Sequence, residues 1–317
     1  LEFGDTTNGT SAEKKKERKL RRPKQILSFI LTLRWFTAGL IGLMLLFILK
    51  FYVIDLIKVN SKDMGSTLHE GDVLLIKRAF NDYQVNDIVY IKYPVKDSSK
   101  GNTYCFQRII GLPGDSIEII NKFVYRNGQL LSDTNTVMHN YYVKSNIKID
   151  SLFEIRYQLR EGGEISNDLD YSYSLTKVQA DSLARSFNVI KSVNIKNEQK
   201  GGFDQTVFPY STRYNWNMDH FGKLFVPKEG AELRLDSTSI LLYGTLIREY
   251  EKNTLKVQGD SIFVNGKYSR TYTVKNDYYF LMGDNRDNVN DSRVCGVIPS
   301  ENIRGRMIKK IKSGGEK

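Results

Sequence analysis

Three short stretches of this 317-residue chain concentrate the residue types that hydrolytic chemistry uses. "VNSKDMGSTLHEGD" (59–72) carries Ser61, Asp63, Ser66 and Thr67. "QRIIGLPGD" (107–115) carries Gln107, Arg108 and Asp115. "GDNRDNVNDSR" (283–293) carries Asp284, Arg286, Asp287, Asp291 and Arg293. A hydroxyl attacks a carbonyl only when a positioned base takes its proton. Lys62 is next to the hydroxyl-bearing loop, but adjacent residues on an extended loop diverge. Two carboxylates can share a proton, so a pairing of Asp63 with Asp284 or Asp287 is a second arrangement to test. His69, His139 and His220 are scattered, and no Cys and His cluster has metal-ligand spacing, so neither a metal nor another cofactor is expected. Cys105 and Cys295 either pair in an oxidising space or stay as thiols, since sequence does not reveal proximity.

The elements that must position these stretches read as β. Nineteen Tyr and sixteen Phe, many beside Val, Ile and Thr, favour strands, and "DVLLIKR", "DIVYIKY" and "DSIFVNG" alternate with period two. Residues 55–125 and 271–317 read as one β core, broken by turn signals such as "EGD" and "LPGD". Between them, 126–270 is more polar and less periodic, as an inserted α+β or β subdomain would be, with a helix expected within Thr176 to Phe187. "GDSIEIINKFVYRNGQ" (114–129) and "GDSIFVNGK" (259–267) flank the insert, and each predicts a hairpin turning at Asn-Gly.

The formal net charge of +11 invites a nucleic-acid reading. Its distribution argues against one: residues 1–34 hold nine Lys or Arg against four Asp or Glu, with "KKKERKLRRPK" (14–24) directly before an apolar stretch. That stretch, "WFTAGLIGLMLLFILKFYVI" (35–54), contains one charge, Lys50, near enough to its end to snorkel. Twenty residues at about 1.5 Å each span the roughly 30 Å of a bilayer's hydrocarbon. The expectation is a single transmembrane helix behind a basic cytoplasmic tail, with the remainder extracytoplasmic by the positive-inside rule. The bilayer is then a partner and nucleic acid is not.

The boxes together resemble type I signal peptidases, membrane-anchored proteases that remove signal peptides with a Ser nucleophile and a Lys general base. The family's S-x-S-M-x-P-T-L box, followed by Gly-Asp, is matched by "SKDMGSTLHEGD" (61–72). Its G-D-I-V-x-x-x-x-P strand is matched by "NDIVYIKYP" (86–94). Its K-R-x-x-G-x-P-G-D box is matched by "QRIIGLPGD", and its G-D-N-R-x-N-S-x-D-S-R box by "GDNRDNVNDSR". The last match is long and unusual in composition; "GLPGD" alone carries little.

The departures from the pattern gather at one site. The nucleophile position is Asp63, the base position Gln107, the position of the lysine-orienting Ser is Val289, and the family's Pro is Ser66. A carboxylate is a poor acyl acceptor, because the mixed anhydride is high in energy, and an amide has no useful basicity. Losing a serine nucleophile costs on the order of a millionfold in turnover. What persists is Ser61, whose family counterpart lends a hydroxyl to the oxyanion hole and which otherwise only caps the loop, together with the groove residue Met64. Arg108, Asp284, Arg286, Asp287, Asp291 and Arg293 are candidates for a salt-bridged network locking the last loop to the core. The resemblance therefore implies a membrane protein of the inner (cell) membrane with a silent dyad. Its expected partners are signal-peptide segments, an active signal peptidase or another secretion component. An active peptidase using rearranged residues, sensitive to changes at Asp63 or Ser66, is the alternative.

Overall fold

The computed structural model describes residues 31–47, 53–79, 82–94, 103–166 and 169–314. The chain divides into two units, Leu1–Ile54 and Asp55–Lys317. In the first, residues 31–47 form a helix with nearly every position exposed. No helix among the described residues is long and apolar enough to cross a membrane. Residues 48–52 of the apolar stretch and the basic run 14–24 lie outside the described residues.

The second unit is mainly β. Its central seven-stranded sheet runs in the order β1 (Ile54–Lys58), β2 (Val73–Lys77), Ile303–Lys312, β3 (Ile88–Tyr93), β4 (Thr103–Gly111), Tyr278–Met282 and Ile298–Pro299. β2 and β3 alternate as half-covered strands do: Leu74, Ile76, Val89 and Ile91 are buried while their neighbours are partly open. β4 from Cys105 on and Tyr278–Met282 are covered on both faces, so their sequences "CFQRIIG" and "YYFLM" lack a simple polar stripe. Both ends of the resembling chain meet in this sheet, because Ile303–Lys312 pairs with β2 on one side and β3 on the other.

The stretch 126–270 splits into two parts. One part contributes a separate four-stranded sheet, ordered Ile190–Ile195, Met138–Ser145, Asp170–Thr176, Gly162–Ser166, with its own core of Val143, Tyr171, Tyr173, Leu175 and Leu183. The helix expected near Thr176 covers Lys177–Ala184, and Thr176 and Gln179 cap it reciprocally. The other part returns to the core: Phe221–Phe225 pairs with Ser116–Ile120, and Phe221 and Leu224 pack with Ile117, Ile119 and Phe280. Both Asn-Gly hairpins form, with φ of 54° and 79° at Asn127 and Gly128 and of 51° and 78° at Asn265 and Gly266. Positive φ at both central positions is what a type I′ turn requires.

Candidate functional site

The loop between β1 and β2 is closed at its base, where Val59 N donates to Asp72 O (2.8 Å) and Gly71 N to Val59 O (2.9 Å). Asp72 ties this base to the chain's last strand, accepting from His69 N (2.9 Å), Gly314 N (2.8 Å) and Lys310 Nζ (2.5 Å). Burial opposes its ionisation, but the Lys310 hydrogen bond and the backbone donors outweigh that and hold the carboxyl below its usual range. Met64 and Leu68 anchor the loop from inside, buried with Val59, Leu74, Ile76 and Phe106.

Asp63 therefore has little freedom. Its carbonyl accepts from Asn285 N (3.0 Å), and a Cβ on Gly283 would lie 2.5 Å from that same oxygen and 2.8 Å from Val289 Cγ2. Gly283 is thus one of the closest contact points between the 59–72 loop and the 283–293 loop. Gln107 is fully buried on β4, its Nε2 donating to Asn290 O at 2.8 Å, next to Val289. Two residues back on the same face of β4, the Cys105 thiol lies near the Asp63 side chain. Three segments distant in sequence thereby bring Asp63, Gln107 and Val289 to one place.

A family model for signal peptidases of the S26 peptidase group matches residues 32–185 and 229–311, more than half of the chain. The chain belongs to this family. Among its relatives, a signal peptidase I from Buchnera aphidicola subsp. Schizaphis graminum is 24% identical over 84% of this chain and 70% of its own. One from Helicobacter pylori strain J99 is 22% identical over 88% and 82%, and one from Aquifex aeolicus 25% over 87% and 82%.

Against the signal peptidase pattern, the chemistry of the corner is defined by what surrounds Asp63. Burial pushes its carboxyl above the ordinary range and the nearby Asp291 charge adds to this, while hydrogen bonds from Ser61 and Cys105 pull the other way. Among the described residues no Lys, Arg or His forms an ion pair with it, and Asp284 and Asp287, the two carboxylates considered for a shared proton, are both bound to cations elsewhere. Burial also pushes the Cys105 thiol up, so it is a poor source of thiolate. Gln107 Oε1 has no hydrogen-bond partner among the described residues. Ser66 and Thr67 face away from Asp63: Ser66 Oγ donates to Thr136 O (2.8 Å), and the Thr67 hydroxyl meets Thr136 Oγ1 (2.6 Å) and Asp284. Ser61 is the hydroxyl that reaches the Asp63 carboxyl.

The charged residues of the last box separate into distinct pairs. Arg108 grips Asp284 with Nε–Oδ1 at 2.8 Å and Nη2–Oδ2 at 2.5 Å, and donates from Nη1 to Asn86 O (2.9 Å). Arg293 grips Asp291 at 2.7 and 3.0 Å and donates to Arg286 O (2.5 Å). Arg286 binds Asp133 (2.9 Å), while its Nε and Nη1 have no partner among the described residues. Asp287 binds Lys122 (2.8 Å), which also binds Asp219 (2.6 Å). Burial works against Asp287 ionising, but His139 beside it (3.7 Å) and the hydrogen-bonded Lys122 ammonium hold its carboxyl well below the usual range. The sequence marks Cys105 only as a disulfide partner or a thiol, and Lys122, Asp133 and Asp219 escaped the sequence reading because they belong to no box. Only folding of the hairpin Ser116–Arg126 and the 133–138 segment onto the last loop reveals them. Neither Cys105 nor Cys295 is in a disulfide.

Proposed function

We propose that this protein is a membrane-anchored signal peptidase homologue that holds extended segments of exported proteins in its groove without cutting them. The observation that carries the reading is the convergence of Asp63, Gln107 and Val289 at the corner where the family pattern has nucleophile, base and orienting serine. An amide held against Asn290 O cannot accept a proton at neutral pH, and a carboxyl group does not replace a hydroxyl in acyl transfer. The loop that would face a substrate is nevertheless pinned by Met64, Leu68 and Asp72, so loss of chemistry leaves a shaped surface. The apolar stretch 35–54 after a basic run supports a single anchor with the β domain outside the cytoplasm.

The test incubates the detergent-solubilised protein with a preprotein bearing a small-x-small cleavage site and follows retention and cleavage. Retention without cleavage is expected, with some cleavage gained on Asp63→Ser plus Gln107→Lys, and more when Val289→Ser is added. Cleavage by the unaltered protein that vanishes in Asp63→Ala would overturn the reading.

The Ser61 hydroxyl beside the Asp63 carboxyl favours one specific second reading, an active peptidase with Ser61 as nucleophile and Asp63 as its base. Cleavage lost in Ser61→Ala but kept in Ser66→Ala would select it. Resistance of the protein to alkaline extraction from membranes, lost when residues 35–54 are deleted, tests the anchor.

A further inference from the structure

A cavity of about 560 Å³ opens beside β1, within the size range of ligand sites. Three cations line it, Lys58, Arg78 and Arg304. Arg78 is partly committed to Asp55, at 3.3 Å, and that carboxylate also lines the cavity. Lys58 and Arg304 form no ion pair among the described residues, and both are exposed. With Asp55 set against the three cations, the cavity lining has a surplus of two positive charges. Tyr90 and Tyr104 form its flat wall, stacked at 5.5 Å with 19° between the rings, and Tyr104 is 41% exposed. Stacked rings with adjacent cations suit a ligand that has an apolar stem and an anionic tip.

Two further features connect the cavity to a polypeptide and not to a small solute. Among the described residues β1 is the terminal strand of the seven-stranded sheet, with only β2 beside it, so its outer edge has backbone groups that can pair with an added strand. Asn60 lines the same cavity and stands three residues before Asp63. A strand laid along β1 towards Asp63 would pass its side chains over the cavity at alternate positions.

We propose that this cavity receives the acidic side chain of an extended segment bound along β1, so that the groove selects segments with a carboxylate on the approach to Asp63. The inference rests on the groove binding such segments at all. It differs from recognition by small residues alone, because the selecting feature is charge complementarity between the segment and Lys58, Arg304 and the unshared part of Arg78.

The experiment measures binding of fluorescent ten-residue peptides to the full-length protein in detergent at low salt. Each peptide carries one Glu, moved along a small-x-small sequence, and each is compared with its Gln counterpart. In one register the Glu peptide is expected to bind about three- to tenfold more tightly, since exposed ion pairs contribute little each. The preference should fade as salt is raised, because the cations are exposed. In Lys58→Gln plus Arg304→Gln the preference should disappear while affinity for the Gln peptides is unchanged. An unaltered unfolding midpoint of that variant, expected because both side chains are exposed, secures the comparison. Equal binding of Glu and Gln peptides in every register would overturn this inference and leave the groove standing. Binding of neither would overturn both. Glycerol phosphate that binds the unaltered protein and not the variant, with no Glu preference among peptides, would assign the cations to a phosphate headgroup and overturn the peptide reading.

Discussion

The corner around Asp63 and the loop that closes over it lie a single glycine apart, yet they treat charge in opposite ways. In the 283–293 loop Asp284, Asp287 and Asp291 each meet a cation at 2.5–2.8 Å. In the corner, Asp63 has the Ser61 hydroxyl and the Cys105 thiol near its carboxyl but no ion pair, and Gln107 Oε1 has no hydrogen-bond partner, among the described residues. A fully buried charge persists only when paired, whereas a half-buried carboxyl can remain by shifting its pKa. The difference teaches that the two regions are under separate constraints. The closing loop is locked in place by buried ion pairs, and the corner is not.

Breaking the closing loop should therefore have the largest effect. Arg108→Ala strands the buried Asp284 carboxylate and is expected to cost about 3–5 kcal/mol in denaturant unfolding. Lys122→Met leaves Asp219 and Asp287 without their shared cation and should cost a comparable amount. It should also change the pH dependence. The depressed Asp287 carboxyl stabilises the fold fully above the ordinary carboxylate range, and that contribution is lost as pH falls through its lowered value. The acid-side loss of stability should shrink in Lys122→Met and in Asp287→Asn.

At the joint between the regions, Gly283→Ala forces a methyl towards the Asp63 carbonyl and Val289, and about 1–3 kcal/mol is expected from overpacking. The smallest effect belongs to the corner, and its sign is reversed. Because the Asp63 carboxyl is raised, its penalty is absent below the unfolded value of about 3.9 and complete once pH has passed the raised one. Asp63→Asn should slightly raise the unfolding midpoint at neutral pH and leave it unchanged in acid. A destabilised Asp63→Asn would mean that the corner also contributes to holding the fold.

Much of this was legible before folding. The alternation in "VLLIK" and "IVYIKY", the Asn-Gly turns and the Thr176 cap are local signals, and each produced its element. The insert was less legible, since Phe221–Phe225 lies in a polar surrounding and is recruited to the core by Ser116–Ile120, about a hundred residues away. The salt bridges were legible as a set of charges but not as pairs. The boxes supply Asp287 and Arg286, while their partners Lys122 and Asp133 sit outside any motif.

The sequence by itself determined the family boxes, the residues Asp63, Gln107 and Val289 that stand in them, and the strands with period two, because residue identity and local backbone preference are written in order along the chain. Only the tertiary structure decided that Cys105 and Ser61 are the groups touching Asp63, that Ser66 and Thr67 turn away from it, and which cation answers each carboxylate. Those choices are contacts between residues far apart in the chain, and they exist only once the sheet has brought β4, the 59–72 loop and the last loop together.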